Sequence, residues 1–157
     1  GDAGFAAVLS PRHAGRATIS DTLMQSSPAG ADKVTVARQG YFEQEGRTVQ
    51  MFAIKKTCLC LNRIKAGLEE SARPLHFIGH QANLRMLETV CSRCEIPPER
   101  HHSNVEWFGN TGAASSGSVL SQNWEKWCDE DDVAVVGVGS GLTWASYLAR
   151  FGSPDSQ

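Results

Sequence analysis

Two short apolar runs constrain the fold of this chain more than any other feature. Residues 75–79 and 133–138 are almost entirely apolar, and each run ends at a polar or glycine-rich turn. A run of this length without a polar face is typical of a strand that is covered on both sides. The predicted order of elements is strand, helix, strand, helix, strand and a closing hairpin. This order predicts an α/β chain whose mixed sheet carries helices on both faces.

The remaining elements follow from hydrophobic periodicity and turn residues. Three- and four-residue spacing of apolar side chains predicts a long amphipathic helix over residues 48–69, with Gly46 just ahead of it. The prolines at 97 and 98 end a second helix, because proline has no amide hydrogen to donate. The full prediction adds strands at residues 5–9, 17–23, 34–37, 101–108 and 142–151, helices at 81–94 and 113–127, loops at 26–33 and 129–132, and a frayed tail at 152–157.

Composition restricts the class of protein. The chain has 157 residues, of which 41% are hydrophobic and 20% charged, so we expect one domain or half of a larger one. A formal charge of -2 excludes a strong overall attraction to nucleic acid or to an anionic membrane. We expect a cytoplasmic protein, since there is neither a bilayer-length apolar run nor a secretion signal. The five cysteines are odd in number, which favours reduced thiols.

Three turns could carry chemistry at one edge of the sheet. His80, Asn110 and the glycine turn around Ser140 each follow a predicted strand, and the ends of neighbouring strands are where open α/β sheets bind ligands. A neutral imidazole, an asparagine amide and an exposed backbone amide can all donate hydrogen bonds to a developing oxyanion. Each residue also has a plain structural reading, as a histidine satisfying backbone groups, a turn asparagine and a hairpin turn respectively.

Other patterns favour structural roles. The glycines at 137, 139 and 141 do not form a dinucleotide-binding loop, because fewer than twenty residues remain for the rest of that unit. Cys91 and Cys94 have the spacing of a metal or redox pair, but they lie at the end of a predicted helix, which favours packing over metal binding. The four tryptophans are expected to be core anchors.

A set of short segments, in order along nearly the whole chain, resembles one family. They include Gly1 and Asp2 with the apolar stretch after them, GRTV at 46–49, HQANLR at 80–85, GNT at 109–111, and residues 139–144 with Arg150 and Phe151. The set resembles the C-terminal half of a β-ketoacyl-acyl-carrier-protein synthase of type III. These are condensing enzymes with the thiolase fold.

The resemblance implies a Cys-His-Asn site that needs no cofactor beyond its substrates, acyl-CoA and malonyl-acyl-carrier protein. His80 and Asn110 would stabilise an enolate, and the amide of Ser140 would hold the acyl oxygen. Asn83 together with Gly46, Arg47 and Gln50 would line the pantetheine tunnel. Arg85 and Arg93 would meet the acidic carrier protein, although basic residues on a helix can equally be a solvated face. The complete protein would be a homodimer.

The chain departs from the family pattern in ways that bear on function. The nucleophilic cysteine belongs to the N-terminal half, which we expect to be supplied by another segment or a partner chain. Ser140 stands where glycine is usual, and Gln50 occupies a place that is often apolar. These departures resemble specialised relatives, and the stretches around His80 and Asn110 resemble biotin-pathway members that extend a dicarboxyl thioester. The alternative is a non-catalytic half that binds a carrier protein or completes a heteromer.

Overall fold

The computed structural model describes residues 1–68 and 71–152. The strands are β1 (Ala17–Ser26), β2 (Val34–Val36), β3 (Phe42–Gln44), β4 (Leu75–Gly79), β5 (Asp132–Gly139) and β6 (Thr143–Phe151). The helices are α1 (Gly46–Ala66), α2 (Leu84–Cys94), the single turn α3 (Val105–Phe108) and α4 (Ser115–Gln122).

Four strands form the main sheet, in the order β1, β6, β5, β4. β4 runs parallel to β5, with Gly79 opposite Val136, while the other two pairs are antiparallel. β2 and β3 form a separate two-stranded hairpin. The parallel pair brings the carboxyl ends of β4 and β5 to the same edge of the sheet, which is the edge predicted for function.

Alternating side chains of the sheet belong to two hydrophobic cores, one on each face. Phe77, Ala134 and Leu148 pack on one face with α1 and α2. Ile78 and Val133 point to the other face, where they pack with residues of α4. This alternation is the period of two that a strand imposes, and it explains why both central runs are apolar throughout. The predicted α/β class, with a mixed sheet between helices, is confirmed.

Helix α1 follows the predicted amphipathic pattern. Ala53, Cys60 and Ile64 are buried on its inner face, and Lys65 reaches across to α2, where its Nζ donates to the Cys94 carbonyl at 2.8 Å. The helix begins at Gly46, so this glycine is its first residue and not a preceding turn. Residues 69 and 70, where the predicted helix ends, and 153–157 of the predicted tail lie outside the described part.

Two predicted strands are wrong. Residues 5–9 form no strand, since no strand of the described chain lies alongside to receive their backbone hydrogen bonds. The Phe5 ring instead lies against Gly117 of α4. Of residues 101–108, only His101 makes a bridge, to Phe77, and α3 follows. The Gln81 side chain accepts hydrogen bonds from the amides of Asn104 and Val105, which starts a helical turn there.

Two predicted helices are shorter than expected. α2 begins at Leu84 and not at residue 81, because the Asn83 Oδ1 accepts the Met86 amide and caps the helix. α4 ends at Gln122, and a separate 3-10 turn over Trp124–Lys126 follows it. A 3-10 turn also occupies Pro28–Lys33 within the predicted loop. β1, β2 and β6 confirm the predicted strands to within a few residues.

The tryptophans divide between core and surface. Trp127 and Trp144 are buried as predicted, but Trp107 is 76% exposed and Trp124 is exposed as well, so the prediction of a core anchor is wrong for these two. Trp107 lies on the single-turn helix α3, which is too short to turn every apolar side chain inward. No helix within residues 1–68 and 71–152 combines the length and apolar character that crossing a bilayer requires.

Candidate active site

His80 lies directly after the last residue of β4, at the carboxyl edge of the sheet. Its Nδ1 is 2.8 Å from the Ser115 Oγ, at the first residue of α4. Burial lowers the pKa of the His80 imidazole, so the ring is neutral at physiological pH. A neutral imidazole has one N–H to donate and one bare nitrogen to accept.

Helix α4 and the end of β4 are joined by three hydrogen bonds. Besides contacting His80, the Ser115 Oγ accepts the Gln81 amide at 3.3 Å. The neighbouring Ser116 Oγ donates to the Gly79 carbonyl at 3.1 Å. The sequence signals of a turn and a helix start gave no indication of these bonds, because the two segments are about 35 residues apart. They fix the position of the imidazole relative to α4.

Gln81 supports the same turn and was missed by sequence reasoning. Its side chain is fully buried, and its Nε2 donates to the Gly79 carbonyl at 2.8 Å. Its Oε1 accepts the Asn104 amide at 2.9 Å. A buried glutamine is costly unless its amide is satisfied, and here both ends are. The only available signal was its place directly after the histidine that ends an apolar run.

Asn110 follows α3 and not a strand, so the predicted placement after a strand is wrong. Its Oδ1 accepts the Gly112 amide at 2.9 Å, which confirms the structural reading of this residue as a turn asparagine. Its amide NH₂ donates to no residue in the described ranges. Asn110 is exposed and lies five residues before Ser115, the residue that contacts His80. The asparagine turn is therefore connected by a short segment to the start of α4, where Ser115 contacts His80.

Ser140 follows β5, so its turn shares the sheet edge with His80, as predicted. β5 continues to Gly139, three residues beyond Val136, the last residue paired with β4, so the Ser140 turn lies further out in the strand direction than His80 does. The turn continues with left-handed backbone at Gly141 (φ 72°) and at Leu142 (φ 48°). Leu142 packs on the buried Gly30, and its carbonyl accepts the Ser27 amide at 2.9 Å. The 27–30 segment thus holds the Ser140 turn in place.

The residues predicted to line the pantetheine tunnel lie at the starts of α1 and α2. The residues predicted to bind the carrier protein lie on an exposed face of α2. Gly46, Arg47 and Gln50 belong to the first turn and a half of α1. Arg47 and Gln50 are exposed, and Asn83 uses its Oδ1 as the cap of α2. The structure shows no hydrogen bond between these side chains and His80.

Arg85 and Arg93 are exposed on α2, separated by eight residues or about 12 Å along the helix axis. Helix α1 packs beside α2, as the contact between Lys65 and Cys94 shows. The two helices are therefore neighbours, as a basic patch shared between them requires.

The cysteine pair of α2 is part of the core. Cys91 and Cys94 are buried against α1, and burial raises the pKa of the Cys91 thiol to about 11. Burial raises the pKa of the Cys94 thiol as well. Thiols held in their neutral form are inert packing groups, which confirms the packing interpretation.

Comparison with known proteins identifies the family. The family profile described as "3-Oxoacyl-[acyl-carrier-protein (ACP)] synthase III C terminal" matches residues 68–151, more than half of the chain. The chain belongs to this family. The matched residues include β4, α2, α4, β5 and β6, and with them His80, Asn110 and Ser140.

Relatives of this synthase family match over almost all of the chain. It is 33% identical over 156 residues to the beta-ketoacyl-[acyl-carrier-protein] synthase III of Geobacillus kaustophilus, covering 97% of this chain and 49% of that protein. For the enzyme of the same name from Streptococcus thermophilus the identity is 30% over 153 residues, covering 95% and 41%. The chain therefore spans less than half of the length of these two relatives.

Solved structures of synthase III show the same fold. The 3-oxoacyl-[acyl-carrier-protein] synthase III of Aquifex aeolicus superposes with a TM-score of 0.78 at 25% identity, covering 89% of this chain and 46% of that one. The Pseudomonas aeruginosa enzyme gives 0.74 at 28% identity, covering 83% and 45%. The thiolase-like fold predicted from the sequence is confirmed, and this chain corresponds to part of it.

Proposed function

We propose that this chain supplies the C-terminal half of a β-ketoacyl-acyl-carrier-protein synthase III that condenses an acyl-CoA primer with malonyl-acyl-carrier protein. The observation that carries the proposal is the neutral imidazole of His80, held by Ser115 at the carboxyl edge of β4. Membership of the synthase III family supports it. The cysteine nucleophile belongs, in this proposal, to an N-terminal half or a partner chain.

The proposed reaction has two covalent stages. The cysteine thiolate of the other half attacks the thioester of the acyl-CoA, and coenzyme A leaves as its thiol. The malonyl group of the carrier protein then loses carbon dioxide, and the electron pair released is delocalised onto the thioester oxygen as an enolate. The enolate carbon attacks the acyl-cysteine carbonyl, the thiolate leaves, and a 3-oxoacyl-acyl-carrier protein is formed.

His80 and Asn110 donate hydrogen bonds to the enolate oxygen in this scheme. The Asn110 amide is free to do so because only its oxygen is used in the turn. The Ser140 amide holds the oxygen of the tetrahedral adduct on the cysteine, from the turn that follows β5. Asn83 and the start of α1 guide the pantetheine arm, and Arg85 and Arg93 bind the acidic carrier protein.

The test is carbon dioxide release from malonyl-acyl-carrier protein by the full-length protein that contains this chain. His80→Ala and Asn110→Ala are each expected to slow release by about a hundred- to a thousandfold, because each removes one donor to the enolate. His13→Ala and Asn62→Ala change the same residue types at exposed positions and should leave the rate unaltered. Undiminished condensation by either site variant would overturn the assignment.

A finer proposal concerns the primer and the setting. The resemblance of the stretches around His80 and Asn110 to biotin-pathway members supports a dicarboxyl acyl-CoA primer, acting in the cytoplasm in a homodimer. The free thiols of the five cysteines suit a reducing compartment. Rates with acetyl-CoA and with a dicarboxyl acyl-CoA of five carbons, measured side by side, decide between a general and a biotin-pathway enzyme.

A non-catalytic half that binds a carrier protein is the competing proposal. The exposed arginines of α2 favour it as much as they favour the enzyme. It predicts a full-length protein that binds the carrier protein, releases no carbon dioxide and has no cysteine at the end of a buried strand ahead of this chain. The same decarboxylation assay, together with the sequence that precedes Gly1, separates the two.

A further inference from the structure

The hydroxyl of Ser115 occupies a position with few choices of partner. Ser115 is only 1% exposed, so water is not available to it. Its Oγ lies 2.8 Å from the His80 Nδ1 and 3.3 Å from the Gln81 amide nitrogen. Within the described residues these are the two polar contacts of the hydroxyl.

The two contacts fix which way the hydroxyl points. A backbone amide can only donate, so the Gln81 N–H uses one acceptor site of the Ser115 Oγ. The hydroxyl hydrogen then has a single acceptor within reach, which is the His80 Nδ1. If Nδ1 carried a proton instead, it would have to donate to the same oxygen, and the buried hydroxyl hydrogen would be left without an acceptor.

We infer that Ser115 is a positioning residue that holds His80 in the tautomer with a bare Nδ1 and a protonated Nε2. The two ring nitrogens face opposite sides of the imidazole, so the N–H points away from α4. The His80 Nε2 has no hydrogen-bond partner in the parts of the chain that the structure describes, which leaves this N–H available to a ligand. For its catalytic meaning the inference rests on the proposed function.

The start of α4 also favours the neutral form of the His80 imidazole. Ser115 is the first residue of this helix, and the N-terminal end of a helix carries partial positive charge that disfavours a second proton on a neighbouring imidazole. Ser116 donates to the Gly79 carbonyl and so holds the helix end against β4. The histidine is therefore a neutral hydrogen-bond donor with a defined direction, and not a base that must first lose a proton.

The test is the tautomer of His80 in the full-length protein, read from the nitrogen chemical shifts of ¹⁵N-histidine with the signal assigned by its loss in His80→Gln. The wild-type protein should show a protonated Nε2. Ser115→Ala should shift His80 toward the protonated Nδ1 and lower kcat for decarboxylation about tenfold, with little change in KM. Ser115→Thr keeps the hydroxyl and should restore the wild-type shifts and rate.

Ser121→Ala is the matched control, since it removes an exposed hydroxyl of the same helix that does not touch the imidazole. It should leave the tautomer unchanged. A protonated Nδ1 in the wild-type protein would overturn the inference without any variant being needed, and so would an unchanged tautomer in Ser115→Ala. The nitrogen shifts do not depend on turnover, so a wild-type protein that fails to decarboxylate would sink the proposed function and leave this test intact.

Discussion

At the scale of single residues, the same residue type performs different tasks according to its surroundings. His80 is half-buried at the sheet edge and bonded to a serine, whereas His13 is exposed and bonded to Ser10. Asn110 shapes a turn with its oxygen, and Asn83 caps a helix with the same atom. In both asparagines the oxygen makes the local hydrogen bond, and the NH₂ group remains able to donate to a ligand. Residue identity alone does not separate these roles.

The exposed arginines of α2 provide a test at this scale. Arg85→Glu and Arg93→Glu should each raise the KM for malonyl-acyl-carrier protein about tenfold, because a carboxylate repels the acidic partner. The KM for malonyl-CoA should change much less. Added salt should shrink the difference between variant and wild type, since exposed charges are screened. Arg12→Glu, at an exposed position outside α2, makes the same change of charge and serves as the control. Equal effects on both malonyl substrates would argue against carrier-protein docking.

At the scale of elements, hydrophobic periodicity predicted the central strands and the long helix, whereas capping signals did not predict where the helices begin and end. The central strands and α1 were predictable because burial on both faces, or on one helical face, leaves a repeating pattern. The start of α2, the turn at α3 and the end of α4 depend on side chains that bond locally or from far away in the sequence. Gln81 accepts the Asn104 amide across more than twenty residues, and the short windows in which helix and strand patterns are detected do not contain both residues. The edge shared by His80 and Ser140 was therefore predictable, and the network that supports it was not.

The cap of α2 yields a test at this scale. Asn83→Ala removes the acceptor of the Met86 amide and should lower the free energy of unfolding by about 1 kcal/mol. Asn83→Asp keeps the acceptor and should preserve most of that stability while losing the NH₂ donor proposed for pantetheine. Urea unfolding measures the first effect and the KM for malonyl-acyl-carrier protein the second. A stability loss in Asn83→Asp as large as in Asn83→Ala would count against the capping role.

At the scale of the whole molecule, charge is arranged differently at the two ends of β4. The carboxyl end is followed by His80, whereas near the other end His76, His102 and Asp131 form a largely buried cluster. There the His76 Nδ1 is 3.0 Å from the His102 Nε2, and the His76 Nε2 is 3.5 Å from the Asp131 Oδ1. Both imidazoles also pack edge to face against Trp127. Burial lowers the pKa of His102 to about 4, and His76 and His101 act in the same direction.

This cluster should make stability depend on pH. An unfolded histidine has a pKa near 6.5, so His102 of the unfolded chain takes up a proton as the pH falls below that value. In the folded chain His102 stays neutral until about pH 4. Stability is fully present above about pH 6.5 and is lost as the pH falls toward 4. Between pH 7.5 and 5.0, the wild-type protein should lose about 1 to 2 kcal/mol more of its unfolding free energy than His102→Gln. Denaturant titrations at both pH values measure this, and equal losses would contradict it.

The parallel pairing of β4 with β5 has a consequence for engineering. Strand register sets the spacing between the His80 turn and the Ser140 turn, and the residues that fix this register lie inside the two cores. Either turn could therefore be exchanged for the matching segment of a relative without disturbing its counterpart. A graft of residues 139–142 should leave the segment with Ser27 and Gly30 unchanged, because the transplanted loop would pack against this segment and bond to it.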